Sequence, residues 1–215
     1  ILIGEDAASL SFLKQKENVA RKLGVIFSLI KLPLTSSYDT VKEKIVSLND
    51  DTSVGGIILQ LPLPKNLDRD SLLNCIDSSK DVDGLSKERK VRPPVASALQ
   101  TILQKIHFSL FEKEVVVIGR GFLVGEPVAE WLKSKVKKLT IFSTDFFDKK
   151  ILQEADLVVT GVGKANLITG DMIKKGVVIV DFGYAKFNER YVGDVDFESS
   201  REKASFITPT PGGTG

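Results

Sequence analysis

Three polar residues stand in stretches that are otherwise apolar or turn-forming: Lys16, Gln60 and Asp83. Lys16 lies between Phe12 and Val19 on a predicted helix, along a stripe that the pattern predicts to face inward. A buried lysine costs desolvation free energy unless a partner meets it or its pKa falls, and in the second case it becomes a neutral amine near physiological pH. The alternative is a lysine that reaches past an apolar rim into water. The sequence leaves a proton-transfer group and a surface lysine equally open.

Gln60 lies near the end of an apolar run, residues 56–61, which predicts a strand covered on both faces. Two prolines after it then stop the ladder. In an open α/β sheet, ligands bind beyond the carboxyl ends of the strands, so Gln60 is a candidate site residue. Capping of the following turn would explain it equally well. Asp83 has the same ambiguity, because Asp83-Gly84 is also a turn sequence.

A glycine-rich turn follows a predicted strand in the second half of the chain. The strand, residues 114–118, runs directly into Gly-Arg-Gly-Phe-Leu-Val-Gly at 119–125. A turn without Cβ atoms lets backbone N–H groups approach a pyrophosphate, and the next helix adds its positive dipole end. A structural turn without a ligand is the alternative. The residues that we predict to bind a dinucleotide cofactor are Gly119, Arg120, Gly121, Val124, Gly125, Ser143, Thr144, Gly161, Gly163, Asp181, Gly183 and Asp194.

Strand-like and helix-like segments alternate along the whole chain. This order predicts an α/β fold with two α/β domains, the second a Rossmann-like doubly wound parallel sheet. Polar and proline content peak near Pro94, where we place the junction. The predicted domains are residues 1–95 and 96–206, and residues 207–215 form a loop that is either laid against a ligand or a linker.

Composition narrows the classes of function. A net charge of +2 with interspersed basic and acidic residues gives no case for a nucleic-acid or membrane partner. The single cysteine, Cys75, fits a reducing compartment and predicts a cytoplasmic location. We place Cys75 in the core and the single histidine, His107, at the surface, and therefore predict no metal site. Because the chain begins inside a strand and ends in a glycine loop, we expect flanking segments beyond both ends.

Five separated blocks of the sequence, in the same order, resemble the bifunctional methylenetetrahydrofolate dehydrogenase/cyclohydrolase family. The blocks are residues 4–9 with Phe12 and Lys16, residues 60–64, residues 80–84, residues 117–127, and residues 193–195 with 207–213. The resemblance implies oxidation of 5,10-methylenetetrahydrofolate by NADP and hydrolysis of the methenyl product to 10-formyltetrahydrofolate, in a cleft between the two domains. It also implies a homodimer formed through the nucleotide domain.

The resemblance assigns roles residue by residue. Lys16 matches the lysine that activates water or moves its proton, and Gln60 matches the amide that hydrogen-bonds this lysine. Asp83 matches the carboxylate that grips the amino-pyrimidine edge of the pteridine. The loop at 207–215 would return to the catalytic domain. The substrate contacts implied in this way are Phe12, Leu61, Pro62, Pro211, Gly212 and Gly213.

Cofactor choice rests on a few residues. Arg120 is placed to meet a 2′-phosphate, with Ser143 and Thr144 in support, and this predicts NADP. Asp145 favours the 2′-hydroxyl of NAD, so NAD stays possible.

The chain departs from the family pattern at several positions. Phe12 stands where the family carries a tyrosine, Gly121 replaces a serine, Phe142 replaces a frequent histidine, and residues 93–96 match the family's Pro-Cys-Thr-Pro segment only loosely. Two alternatives to the bifunctional enzyme therefore stay open: a non-catalytic folate- or nucleotide-binding relative, and an enzyme with dehydrogenase activity only.

Overall fold

The computed structural model describes residues 1–144 and 148–214. The chain divides into two compact units, Ile1–Pro93 and Pro94–Gly215. Within the described residues, no helix is long and apolar enough to cross a membrane.

The first unit has few regular strands and is built mainly from helices and extended loops. Its elements are β1 (Leu2–Ile3), α1 (Ala7–Lys22), β2 (Lys31–Leu32), α2 (Tyr38–Asp50) and α3 (Arg69–Leu73). β1 and β2 pair in parallel, with Leu2 opposite Lys31. The prediction of a strand at 56–61 is wrong. Ile57 forms an isolated bridge with Asp81, and Ile58 and Gln60 bond to the backbone of Ile1, but no continuous ladder forms. Pro62 removes the next donor, and Gly56 lies so close to Val82 that a Cβ there would be 2.6 Å from its side chain.

Helix α1 buries a different face from the one that the sequence predicted. Asp6 caps its first turn by accepting from the backbone N–H of Ser9 at 2.8 Å. Ser9 and Leu13 are buried, whereas Phe12 and Val19 are each 54% exposed. The predicted inward stripe through Phe12 and Val19 is therefore wrong. Lys16 instead follows Ser9 by seven residues, at the border of the buried line.

The second unit is built on a five-stranded parallel sheet with the order β4-β3-β5-β6-β9. Its elements are α4 (Pro94–Lys105), β3 (Glu114–Ile118), α5 (Gly125–Leu132), β4 (Lys138–Phe142), α6 (Lys149–Glu154), β5 (Leu157–Thr160), a 3₁₀ turn (Gly170–Met172), β6 (Val178–Asp181), β7 (Ala185–Phe187), β8 (Arg190–Val192), α7 (Phe197–Arg201) and β9 (Phe206–Ile207). β7 and β8 form a separate antiparallel hairpin.

Both faces of the sheet are covered, which explains why its strands read as continuous apolar runs. Val115 and Val117 of β3 pack on one side with Leu99 of α4 and Leu132 of α5. The alternate strand residues pack on the other side, in a cluster whose members include Val116, Ile118, Leu152, Val158, Ile168 and Ile179. The prediction of a doubly wound, Rossmann-like parallel sheet is confirmed.

The order of the strands indicates where a ligand is expected to bind. The chain passes from β3 to β4 on one side of β3, and then to β5 on its other side. Such a reversal opens a crevice beyond the carboxyl ends of the two central strands. The loops after β3 and β5, residues 119–125 and 161–164, therefore flank this crevice.

Candidate active site and nucleotide site

In the first unit, the ammonium nitrogen of Lys16 lies between two oxygen acceptors. Its Nζ is 3.4 Å from Oε1 of Gln60 and 3.4 Å from Oδ2 of Asp83. The side chains of Lys16 and Asp83 are 25% and 22% exposed, so the ion pair is partly withdrawn from water. Because withdrawal also removes hydration from both charges, such a pair fixes position more than it adds stability. The structure thus brings together three side chains that lie far apart in the sequence.

The orientation of the Gln60 amide is fixed by its own neighbour. Its Nε2 donates to the carbonyl oxygen of Leu61 at 2.8 Å, which leaves Oε1 directed at Lys16. The backbone N–H of Gln60 donates to the carbonyl of Ile1 at 2.9 Å, so the residue is held at both ends. Gln60 therefore presents an acceptor, not a donor, to the ammonium group.

Asp83 is presented by a turn with a buried anchor. The carboxylate of Asp81 is 3% exposed and accepts from the N–H and the Oγ of Ser86, at 2.9 and 2.6 Å. Gly84 has a φ of +59° and no room for a side chain, because a Cβ would lie 2.5 Å from the carbonyl oxygen of Val91. These restraints orient the Asp83 carboxylate toward the ammonium group.

Lys80 is a supporting residue that the sequence analysis missed. Its Nζ donates to the carbonyl oxygens of Leu48, Asn49 and Asp51, at 2.9, 2.7 and 2.7 Å. The ammonium group thereby satisfies carbonyls at the C-terminal end of α2, where a positive charge is favoured. The sequence feature that could have revealed it is the charged run Lys80-Asp81-Val82-Asp83. Each charged side chain of this run has a separate hydrogen-bond partner in the structure.

Accessible apolar groups lie beside the ammonium group. The Lys16 Nζ is 5.6 Å from the centre of the Phe12 ring, which is 54% exposed. Next to Gln60 in the chain, Leu61 is half-buried and Pro62 is exposed. An accessible ring next to a fixed cation, amide and carboxylate suits a flat, polar-edged ligand, with stacking on the ring and hydrogen bonds at the edge.

In the second unit, the glycine loop after β3 packs closely against the loop after β5. A Cβ at Gly125 would lie 2.0 Å from the carbonyl oxygen of Gly119, and one at Gly161 would lie 2.3 Å from the Val124 side chain. Gly119 itself has a φ of +101°. By contrast, Gly121 faces open space. Tight backbone contact on one side and open space on the other fit a dinucleotide cofactor, whose pyrophosphate must approach the backbone closely.

Arg120 is exposed and directed toward the end of β4. Its Nη2 donates to the carbonyl oxygen of Ile141 at 3.3 Å, which places the guanidinium at the carboxyl end of β4, the strand that Ser143 and Thr144 follow in the chain. The other N–H groups of the guanidinium can donate to an anion at the carboxyl end of β4. Asp145, the predicted opposing carboxylate, lies outside the described residues.

Two predicted cofactor residues, Asp181 and Asp194, face inward instead. They are 2% and 0% exposed. Asp181 accepts from the N–H groups of Gly183 and Val195 at 2.7 and 2.9 Å, and Asp194 accepts from the loop 161–164. Both carboxylates thus already have partners within the protein, and a direct contact of either with the cofactor stays a prediction. The polar end of a predicted strand does not reveal whether it faces a ligand or a neighbouring loop.

The remaining predicted substrate residues, Pro211, Gly212 and Gly213, belong to the second unit and are exposed. Thr214, just after them, donates from Oγ1 to the carbonyl oxygen of Asp181 at 3.3 Å. Contact of this segment with a substrate stays a prediction. The structure corrects one further residue, Cys75, which is only half-buried and donates to the carbonyl of Ser71 at 3.2 Å, whereas His107 is exposed as predicted.

Comparison with protein families matches both units. The catalytic-domain model of tetrahydrofolate dehydrogenase/cyclohydrolase covers residues 1–83, and the NAD(P)-binding-domain model of the same family covers residues 93–215. The chain belongs to the tetrahydrofolate dehydrogenase/cyclohydrolase family. This confirms the resemblance that the five sequence blocks carry.

Individual members of the tetrahydrofolate dehydrogenase/cyclohydrolase family match along the whole chain. The bifunctional protein FolD of Lactobacillus acidophilus is 38% identical over 225 residues, which cover 100% of this chain and 80% of that protein. The FolD structure from Campylobacter jejuni superposes with a TM-score of 0.95 at 33% identity, covering 100% of this chain and 80% of that one. The Trypanosoma brucei FolD structure, complexed with NADP and an inhibitor, gives 0.93 at 29% identity, covering 99% and 79%.

Across residues 1–144 and 148–214, no cluster of three or more His, Cys, Asp or Glu side chains is arranged to hold a metal ion. The site chemistry in the described residues thus consists of an ammonium group, an amide, a carboxylate and an aromatic ring in one unit, and a glycine-lined crevice with an exposed guanidinium in the other.

Proposed function

We propose that the protein oxidises 5,10-methylenetetrahydrofolate with NADP and hydrolyses the resulting 5,10-methenyltetrahydrofolate to 10-formyltetrahydrofolate. The observation that carries this proposal is the position of the Lys16 Nζ, 3.4 Å from both the Gln60 and the Asp83 oxygens, in a chain of this family. The fold alone does not require three polar side chains that are distant in the sequence to meet at one point, whereas a shared catalytic role does.

Hydride transfer and hydrolysis require different contributions from the protein. Loss of hydride is driven by the lone pair of a folate nitrogen, so it depends on positioning and not on an acid or base. When bound, NADP supplies the hydride acceptor. Hydrolysis is different, because a water molecule must add to the methenyl carbon and lose a proton. A group that removes or relays this proton accelerates that step specifically.

Lys16 is the group that we assign to hydrolysis. The Gln60 oxygen and the Asp83 carboxylate hold its nitrogen in one place. To accept the proton of the attacking water, the ammonium group must first release a proton of its own, to the Asp83 carboxylate or to solvent, and act as the neutral amine. Because the nitrogen is already held in place, less entropy is lost when it and the reacting water come together, and this lowers the barrier of the proton transfer. We assign Asp83 a second role, accepting from the amino-pyrimidine edge of the pterin, and Phe12 the role of a stacking surface.

NADP is the proposed cofactor. The family's second domain is described as NAD(P)-binding, and the Trypanosoma brucei relative is complexed with NADP. Support from this chain comes from the exposed guanidinium of Arg120, which bonds to Ile141 near the end of β4, the strand that Ser143 and Thr144 follow. A guanidinium is suited to a 2′-phosphate because it donates two parallel hydrogen bonds.

A dehydrogenase without the hydrolase step is the second candidate. It is favoured by Phe12, whose ring lies beside Lys16 but carries no hydroxyl that could take part in a proton relay. The first candidate and the second predict the same first reaction. They differ only in the fate of the methenyl product.

A two-step assay separates the candidates. Reduction of NADP and of NAD is followed with methylenetetrahydrofolate, and loss of the methenyl chromophore is then followed without nicotinamide. The bifunctional proposal expects both signals, with NADP preferred. Hydride transfer without accelerated loss of the methenyl chromophore leaves the dehydrogenase alone. Binding of either ligand without turnover identifies a non-catalytic relative and contradicts the proposal.

We further propose that the protein is a homodimer joined through its second unit. That unit carries the exposed hairpin of β7 and β8, on which the rings of Tyr184 and Tyr191 stack with centroids 4.4 Å apart. Exposed aromatic groups are enriched at protein interfaces. Light scattering after size-exclusion chromatography tests this, and a monomer at micromolar concentration would contradict it. Cytoplasmic location and the lack of nucleic-acid and membrane partners stay predictions of the composition.

A further inference from the structure

We infer that Asp194 is a positioning residue for the cofactor: its buried carboxylate sets the shape of the loop 161–164, against which the glycine loop 119–125 packs. The inference rests on the proposed use of NADP, and it concerns a residue whose carboxylate has four hydrogen-bond partners within the protein.

The carboxylate of Asp194 is surrounded by donors from one short segment. Its Oδ2 accepts from the Oγ1 of Thr160 at 2.7 Å and from the N–H of Val162 at 2.6 Å. Its Oδ1 accepts from the N–H groups of Gly163 and Lys164, at 2.8 and 2.9 Å. Successive N–H groups that converge on one anion form a nest, and here the anion is part of the protein. All four acceptor positions of the carboxylate are in use.

The surrounding chain leaves space for this carboxylate. A Cβ at Gly183 would lie 2.2 Å from Oδ1 of Asp194, so any side chain there would displace it. Asp194 is also tied into the fold on its backbone side, because its carbonyl oxygen accepts from the N–H of Ile168 at 3.0 Å. The Asp194 carboxylate is therefore a fixed acceptor around which residues 162–164 of the loop turn.

The anchored loop forms one wall of the crevice at the strand reversal. A Cβ at Gly119 would lie 3.2 Å from the Val162 side chain and 3.3 Å from the carbonyl oxygen of Gly161. On the other side, Val124 packs against Gly161 so closely that no side chain fits there. Movement of the loop by even 1 Å would thus push on both ends of the glycine loop, and misplacement on this scale is costly for binding and catalysis.

The test compares two variants and a matched control. Asp194→Asn keeps the shape but replaces one acceptor oxygen with a donor that faces the N–H groups of the loop. Thr160→Val removes only one of the four bonds and keeps the strand. The control, Asp196→Asn, makes the same charge change two residues away, at the cap of α7, where the carboxylate accepts from the N–H of Ser199 at 3.4 Å. For the wild type and each variant, we would measure the Kd for NADP by calorimetry, the KM for NADP, the rate of methenyl hydrolysis without nicotinamide, and the Tm.

The expected result is a split between the two activities. Asp194→Asn should raise Kd and KM for NADP about tenfold or more, as loss of an orienting partner commonly does, while methenyl hydrolysis changes less than about twofold. Thr160→Val should raise Kd about threefold, and the control should leave it unchanged. If Asp194→Asn does not fold, Thr160→Val decides the matter.

Two results would overturn the inference: unchanged affinity for NADP in the folded variants, or loss of hydrolysis in parallel with loss of NADP binding, which is what general damage to the fold produces. Failure of the proposed function looks different. In that case the wild-type chain binds NADP without turnover, and the comparison of Kd values among the variants still holds.

Discussion

The Nζ of Lys16 lies 5.6 Å from the centre of the Phe12 ring, one helical turn away, and 3.4 Å from the carboxylate of Asp83. The ammonium group therefore has an aromatic face on one side and an anion on the other. The phenyl ring carries no hydroxyl that could share a proton with this group, so the proposed hydrolysis assigns the proton transfer to Lys16 alone. Two predictions test this arrangement from its two sides.

Lys16→Ala should lower the rate of methenyl hydrolysis by about 100-fold or more, the usual contribution of a positioned acid–base group. Hydride transfer needs no such group and should keep at least about a tenth of its rate. The two rates are measured separately, with Lys14→Ala as the control, because Lys14 lies on the same helix and is exposed. Equal loss of both activities would show that Lys16 binds substrate and does not act on water.

Phe12→Ala should raise KM for the folate substrate about tenfold in both reactions, because the stacking surface is removed. Phe12→Tyr keeps the ring and should change either kcat by less than about threefold, since Lys16 already has its two oxygen partners. Steady-state kinetics of both reactions decide this. A large gain in hydrolysis for Phe12→Tyr alone would mean that a hydroxyl relay is what this chain lacks.

Arg120→Ala should weaken NADP by about ten- to hundredfold and NAD by less than about threefold, because only NADP carries the 2′-phosphate that a guanidinium pairs with. The ratio of kcat/KM for the two cofactors measures this. Lys138→Ala is the matched control, since Lys138 lies at the opposite end of β4, in an ion pair with Glu114. An unchanged ratio in Arg120→Ala would remove Arg120 from the phosphate site.

The sequence predicted the second unit better than the first for a physical reason. Parallel strands covered on both faces must be apolar throughout, so the strands near 114–118, 157–160 and 178–181 were recognisable with errors of one residue. In the first unit, apolar runs at 25–32 and 56–61 predict strands of eight and six residues. Only Lys31–Leu32 of the first run forms a strand, and the second run contributes one isolated bridge, Ile57 to Asp81. Apolar content alone does not reveal which neighbour a segment meets.

The candidate site shows the same division. Lys16, Gln60 and Asp83 were identifiable because each is polar in a place where polarity is costly, and their meeting in space followed from the family resemblance. The inward direction of Asp181 and Asp194 was not predictable, because most of their partners are backbone N–H groups, which every sequence has. Lys80 was missed for the same reason, since its ammonium group donates to the backbone carbonyl oxygens of α2 and its C-cap.

Asp181 makes the stability of the second unit depend on pH. Burial raises the pKa of its carboxyl from 3.8 to about 6, and the neighbouring charge of Asp194 acts in the same direction, against the hydrogen bonds from Val195 and Gly183. Between pH 4 and 6, the folded protein therefore holds a proton that the unfolded chain has lost. The contribution of this group to the free energy of unfolding is thus largest at low pH and falls as pH rises through about 6.

Asp181→Asn removes this titration, so the difference in free energy of unfolding between wild type and variant should be larger at pH 5 than at pH 7, by about 1 kcal/mol. Urea unfolding followed by the fluorescence of Trp131, the single tryptophan and a residue of α5, reports on this unit. Other carboxyl groups titrate in both proteins and cancel. Thr208→Val is the control, because it removes the acceptor of the Asp181 N–H without removing an ionisable group, and its effect should be equal at the two pH values. If the difference in free energy of unfolding between wild type and Asp181→Asn is the same at pH 5 and pH 7, the carboxyl of Asp181 titrates below pH 5 in the folded protein.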